Sequence, residues 1–147
     1  MKEQHLASFL NMENNKVFII DDDMITVFGL KKILGKFQLA IEIDDFGNGA
    51  DALAAIKLII EQNKSIPNLI FLDINMPIMD GWTFLEEFIA LPIDKLINIK
   101  IITSSIDKAD RDKWHYFSEN TKHRIDFLTK PIYKLDINDL SVLNMAS

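Results

Sequence analysis

At 147 residues, with 48% hydrophobic and 26% charged residues, the chain has the make-up of one globular domain with a core of its own. Asp and Glu number 22 against 16 Lys and Arg, a net charge of −6 that speaks against the basic footprint nucleic-acid binding needs. Cysteine is absent, which excludes disulfides, thiolate catalysis and Cys-based zinc sites. No apolar run approaches the ~18–20 residues of a membrane span, and the first 16 residues lack the apolar centre of a secretion signal. The expectation is a cytoplasmic protein with no membrane and no nucleic-acid partner.

Residues 1–15 carry Leu6, Phe9, Leu10 and Met12 at roughly helical spacing, then Glu13-Asn14-Asn15. They read as a flexible extension or a short helix, with Met12 an alternative start and the domain proper at 16–147. Val17–Ile20 is an apolar run ending in Asp21-Asp22-Asp23. A helix is predicted from Met24 to about Lys36, with Ile25, Phe28, Ile33 and Phe37 as its repeating apolar positions and Asp23 as N-cap. Ala40–Phe46 alternates as a second strand, Gly47-Asn48-Gly49 is a turn, and Ala50–Glu61 is a helix with Leu53, Ile56 and Ile60 on one side. Asn68–Leu72 is an uncharged run suited to a buried strand; it stops at Asp73, and a loop through Pro77 closes at Asp80-Gly81. Trp82–Leu91 is amphipathic, Ile99–Ile102 a fourth strand, 107–117 a charged helix, Ile125–Thr129 a fifth strand, and 136–145 holds a short last helix. Such alternation favours a parallel sheet with helices on both faces.

Parallel strands all point one way, so the polar residues after them gather at one edge of the sheet, where open α/β folds bind ligands. Those residues are Asp21 and Asp22, Asp73, Thr103 and Lys130. Several carboxylates in one pocket repel unless something compensates. A hard divalent cation does so, and Mg2+ takes carboxylate and carbonyl oxygens while leaving positions for water and phosphate. A lysine and a hydroxyl then suit the remaining phosphoryl oxygens. A carboxylate beside the metal is a candidate nucleophile forming an aspartyl phosphate.

The runs Val-Phe-Ile-Ile-Asp21-Asp22-Asp23, Leu72-Asp73-Ile-Asn-Met-Pro-Ile-Met-Asp-Gly81, Ile-Ile-Thr103-Ser104 and Phe127-Leu-Thr-Lys130-Pro131 stand in order at four strand ends. Together they resemble the receiver domain of response regulators, the phosphoacceptors of two-component signalling, over residues 16–145. The resemblance implies a doubly wound, five-stranded parallel sheet of the flavodoxin-like, CheY-like type with strand order 2-1-3-4-5. It also implies that Asp73 is the phosphoacceptor and that Asp22 and Asp73 bind Mg2+ directly. Asp21 would act through water and Asn75 through its backbone carbonyl. Thr103 would bond the phosphoryl group, Lys130 would pair with Asp73, and Phe127 would be a mobile aromatic switch worked through Thr103. The Lys130-Pro131 bond is usually cis in the family. Partners implied are a sensor histidine kinase or a histidine phosphotransfer protein.

Two features depart from the pattern. The interval from Thr103 to Lys130 is 27 positions (130 − 103), several more than usual, so the fourth helix or the loop after it is expected to be enlarged. Nothing of size follows the last helix, so a stand-alone receiver, not a metabolic enzyme, is expected to signal through the face of the fourth helix, fifth strand and last helix. That face holds Trp114, Tyr116 and Phe117 and suits a protein target or a homodimer. His5, His115 and His123 are expected to be exposed, and Asp44, Asp45, Glu86 and Glu87 to be solvated charge. Rival readings are a degenerate, non-phosphorylated interaction module and a haloacid-dehalogenase-type phosphatase with Asp21 as nucleophile and Asp23 as acid/base. The phosphatase needs an acidic metal motif beyond the lysine, and the 17 residues after Lys130 (147 − 130) offer no acidic pair at a strand end.

Overall fold

The computed structural model describes residues 15–37, 41–104 and 106–132. The elements run β1 (Asn15–Ile20), α1 (Met24–Leu34), β2 (Ile41–Phe46), α2 (Gly49–Glu61), β3 (Leu69–Asp73), α3 (Gly81–Ile89), β4 (Asn98–Thr103), α4 (Lys108–Glu119) and β5 (Arg124–Thr129). Each strand is followed by a chain reversal that brings the next strand back parallel, giving a five-stranded sheet of order β2-β1-β3-β4-β5. This is the order and fold class expected. The extension before residue 15 and the last helix at 136–145 lie outside the described residues, as does Ser105.

β3 is central and wholly buried, which is why Leu69–Leu72 is apolar on both faces. Alternation along the strands divides the core in two. Phe18, Ile20, Ile70, Leu72, Ile99 and Ile101 face α2, α3 and α4, whereas Val17, Ile19, Leu69, Phe71 and Ile102 face α1. Phe71 has no exposed surface, so truncation to Ala would remove about 3–5 kcal/mol.

The helices start where side-chain oxygens take up free backbone N–H groups. Asp23 caps α1, Asn48 caps α2, Asp80 caps α3, and Asp107 forms a capping box with Asp110 on α4. The interval from Thr103 to Lys130 holds α4, 12 residues long, and β5.

The sequence reading of α1 needs correction. Its buried residues are Val27, Leu30, Ile33 and Leu34, whereas Ile25 is 84% and Phe28 69% exposed. The helix is apolar on two sides, and packing on β1 and β3 selects the stripe that the apolar pattern alone leaves open. His123 is also not exposed. It is buried beside Phe88, and its Nδ1 accepts a hydrogen bond from the Ile97 N–H at 3.0 Å. No described helix is long and apolar enough to cross a membrane.

Candidate functional site

The register assembles the site. Ile20 pairs with Leu72, so the next residues, Asp21 and Asp73, emerge side by side from β1 and β3. Asp73 in turn pairs with Ile102, setting Thr103 just beyond it on β4. Thr103 pairs with Thr129, and the Lys130 N–H donates to the Thr103 carbonyl at 2.8 Å. The Lys130-Pro131 bond is cis.

Within this edge, ligand oxygens of Asp21, Asp22 and Asp73 lie within 4.8 Å of one another. Asp21 and Asp73 are buried and Asp22 is exposed. The Lys130 ammonium stands 2.9 Å from Asp21 Oδ2 and 3.6 Å from Asp73 Oδ2. The shorter contact is an ion pair without the alignment of a hydrogen bond, so this buried oxygen keeps an unused lone pair. Asp21 Oδ1 accepts from the Asp23 N–H at 2.9 Å, and Asp73 Oδ1 from the Asn75 N–H at 3.3 Å.

Three carboxylates facing one ammonium leave a negative surplus. Burial first, and then the Asp21 charge, push the Asp73 carboxyl up to about 6, against the opposing Asn75 hydrogen bond and Lys130 charge. Burial disfavours the Lys130 ammonium, but Asp21 and Asp73 outweigh it and hold its pKa above the ordinary value. The donor set is all oxygen, negatively surplus, and includes the buried Asp21 Oδ2, which meets the Lys130 ammonium and has a lone pair to spare. It fits a hard divalent cation.

Asp23 does something else. Its carboxylate accepts from the Ile25 N–H at 3.0 Å and the Thr26 hydroxyl at 2.8 Å, and the Thr26 bond leads in lowering its pKa. A carboxylate held ionised in a cap is poorly suited to be the acid of a phosphatase.

Thr103 is buried, and by strand alternation it shares a face with Ile101. Phe127 packs on that same face, partly buried, with the Trp114 ring 5.3 Å away. The Trp114 indole N–H donates to the Ile125 carbonyl at 2.8 Å, locking α4 to β5 beside Phe127.

Two supports of the Asp73 loop were not singled out from sequence. The Gly81 N–H donates to the Ile74 carbonyl at 3.1 Å, and a Cβ on Gly81 would fall 2.6 Å from the Asp73 carbonyl oxygen. The Asp80-Gly81 pair signalled a turn, but only the close approach shows why glycine is required there. Ile78 has φ 70°, with the Pro77 carbonyl accepting from the Met79 N–H at 2.7 Å. A β-branched residue in that conformation stores about 1–3 kcal/mol of strain, and no sequence signal marks it.

This geometry has relatives. The model of the response regulator receiver domain matches residues 17–140. A hybrid signal transduction histidine kinase L of Dictyostelium discoideum is 30% identical over 131 residues, covering 85% of this chain and 7% of the kinase. A protein-glutamate methylesterase/protein-glutamine glutaminase of a Shewanella strain is 31% identical over 122 residues, covering 82% of this chain and 30% of that protein. The chain thus spans under a third of the length of either relative. Among solved structures, a two-component response regulator from Cytophaga hutchinsonii superposes with a TM-score of 0.69 at 26% identity, covering 90% of this chain and 95% of that one. Strand order, the matched span of residues and these likenesses agree, and the chain belongs to the response regulator receiver domain family.

Proposed function

We propose that Asp73 of this receiver accepts a phosphoryl group from a phosphohistidine, and that the phosphorylated state changes which protein the domain binds. The observation that carries this reading is the convergence of Asp21, Asp22 and Asp73 under the Lys130 ammonium at the carboxyl edge of the sheet. A buried carboxylate oxygen attacks the phosphorus, a P–O bond forms as the P–N bond breaks, and the imidazole leaves with its proton. Lys130 offsets charge on Asp73 and then on the phosphoryl oxygens, and the Thr103 hydroxyl bonds one of those oxygens. Mg2+ would be held by Asp22, Asp73 and the Asn75 carbonyl, with Asp21 through water. When bound it supplies charge neutralisation for the incoming phosphoryl group.

The partner that delivers the phosphoryl group is a histidine kinase or a histidine phosphotransfer protein. Exposed apolar residues at the start of α1, Met24, Ile25 and Phe28, follow directly on Asp21-Asp22-Asp23 and offer it an apolar landing beside the acceptor. For the outgoing signal, Thr103 drawn toward the phosphoryl group leaves room behind it for Phe127, whose contact with Trp114 carries the change to α4. The target is a separate protein or a second copy docking on α4, β5 and the last helix. A cytoplasmic location follows from this role.

Mass spectrometry after treatment with a small-molecule phosphodonor tests the chemistry. The expected result is one Mg2+-dependent acyl phosphate on Asp73, absent from Asp73→Asn. Label on Asp21, or undiminished label on Asp73→Asn, would overturn it.

A further inference from the structure

Beyond the Asp80-Gly81 end of the Asp73 loop, α3 and α4 lie side by side on one face of the sheet and leave a groove between them. Its floor is aromatic. The Trp82 ring stacks on Phe117 with centroids 5.9 Å apart and planes 6° from parallel, and the Trp82 indole N–H donates to Asp110 Oδ1 at 3.2 Å. Tyr116, 60% exposed, stands edge-on to Phe117 at 5.3 Å. Two adjoining hollows of about 420 and 410 Å³ run along this floor and share Glu86, Tyr116 and Phe117 in their walls.

The rim is acidic. Asp80, Glu86 and Asp112 contribute three carboxylates against the single ammonium of Lys113. Asp80 is used as the α3 cap and Asp112 pairs with Lys108. Glu86 lines both hollows and, among the described residues, has no ion pair. An aromatic floor under an unpaired carboxylate is complementary to one class of side chain, a cation on an apolar stem.

We infer that the α3–α4 groove is a docking site for a basic peptide segment of a partner protein. An arginine or lysine of that segment pairs with Glu86 and lies against the Tyr116 ring, and its neighbouring apolar residue fills the hollow over Phe117. A second copy of the chain is a poor occupant, because with a net charge of −6 it would bring a like-charged surface to an acidic groove. Nucleic acid is repelled for the same reason. The site is distinct from the α4–β5 surface, since it lies on the α3 side of α4.

Selection of short random displayed peptides on the full chain tests this, with depletion on a Glu86→Gln/Tyr116→Ala variant. Both positions are exposed, so the variant keeps the fold. The enriched pool should carry arginine or lysine next to an aromatic or long aliphatic residue. A synthetic copy of an enriched peptide should shift the amide resonances of Thr83, Glu86 and Phe117 and weaken roughly fivefold or more with either single substitution. Replacing its arginine by citrulline should weaken it by a similar factor. Three outcomes would overturn the inference: no pool that distinguishes the variant, a pool of acidic peptides, or concentration-dependent dimerisation that Glu86→Gln abolishes. The last would assign the groove to a second copy.

Discussion

Asp73 sits where two demands conflict. To serve as the proposed nucleophile it must be ionised, yet burial and Asp21 raise its pKa to about 6. In the unfolded chain the same group titrates near 3.8. Above about pH 6 the carboxyl is charged in both states and the folded state bears the penalty. As pH falls from 6 toward 3.8 the folded state takes up the proton first, and the penalty disappears. Asp73→Asn should therefore raise stability by about 1–2 kcal/mol at neutral pH, a gain lost below about pH 4 and, on the proposed Mg2+ site, narrowed by added Mg2+, which would stabilise the unsubstituted protein more. Thermal melts of both proteins over that range check this; an equal or lower melting temperature for Asp73→Asn at neutral pH would contradict it. Gly81 poses a steric rather than an electrostatic demand. Gly81→Ala puts a methyl 2.6 Å from the Asp73 carbonyl oxygen and 2.7 Å from Ile74 Cα, both backbone atoms that cannot rotate away. The expected cost is about 1–3 kcal/mol by denaturant titration, with slowed labelling of Asp73 because its loop is displaced.

Among the elements, α1 shows how one helix serves two surfaces. Val27, Leu30, Ile33 and Leu34 hold it to the sheet, and Met24, Ile25 and Phe28 face outward. Phe28→Ser removes nothing from the core, so stability should change by about 0.5 kcal/mol or less. If the outward stripe receives the phosphohistidine partner, transfer from a histidine kinase should fall about tenfold while labelling by a small-molecule phosphodonor stays unchanged. A parallel fall in both rates would mean the residue supports the site rather than the encounter. The contrast with α4 is instructive. That helix has no fully buried residue and a polar composition. It stays in place through Trp114 on Phe127 and Ile125 and through Phe117 on Trp82. If Phe127 is the switch proposed above, its Trp114 contact is the route by which a movement would reach α4.

Across the whole molecule, stability at mildly acid pH has a second contributor at the opposite end of the sheet. His123 is buried, accepts from the Ile97 N–H, and has its pKa lowered by burial first and by the Lys122 charge second. Its ordinary pKa is 6.5. Below that value the unfolded state binds the proton more readily, so stability falls as pH drops from 6.5 through the lower folded pKa. Asp73 pulls the other way over much of the same range. In the Asp73→Asn protein the His123 trend should no longer be opposed by Asp73, with melting temperature declining as pH drops below about 6.5. Adding His123→Asn, which keeps an acceptor near the Nδ1 position, should flatten that slope; an unchanged slope would exclude His123 as its source.

How much of this was legible beforehand follows from the range of the forces involved. Strands and caps are local matters: an uncharged run such as Leu69–Leu72 and an Asp before a helix carry their own reasons, and the βα alternation favours a parallel sheet, whose order 2-1-3-4-5 was implied by the resemblance to receiver domains. The gathering of Asp21, Asp73, Thr103 and Lys130 at one edge also follows from sequence, because each ends a strand and parallel strands end together. The local pattern could not choose which apolar stripe of α1 is buried, since either one satisfies helical spacing. It could not show that His123 is enclosed by Phe88 and Ile97, residues distant along the chain, or that Gly81 approaches the Asp73 carbonyl too closely for any Cβ. Nor did it reveal that Trp82 and Phe117 meet to floor a groove rimmed by Glu86. The sequence by itself determined what most segments are and that their strand ends gather polar residues at one edge. The tertiary structure decided which surfaces remain outside, because burial is settled between segments and not within one.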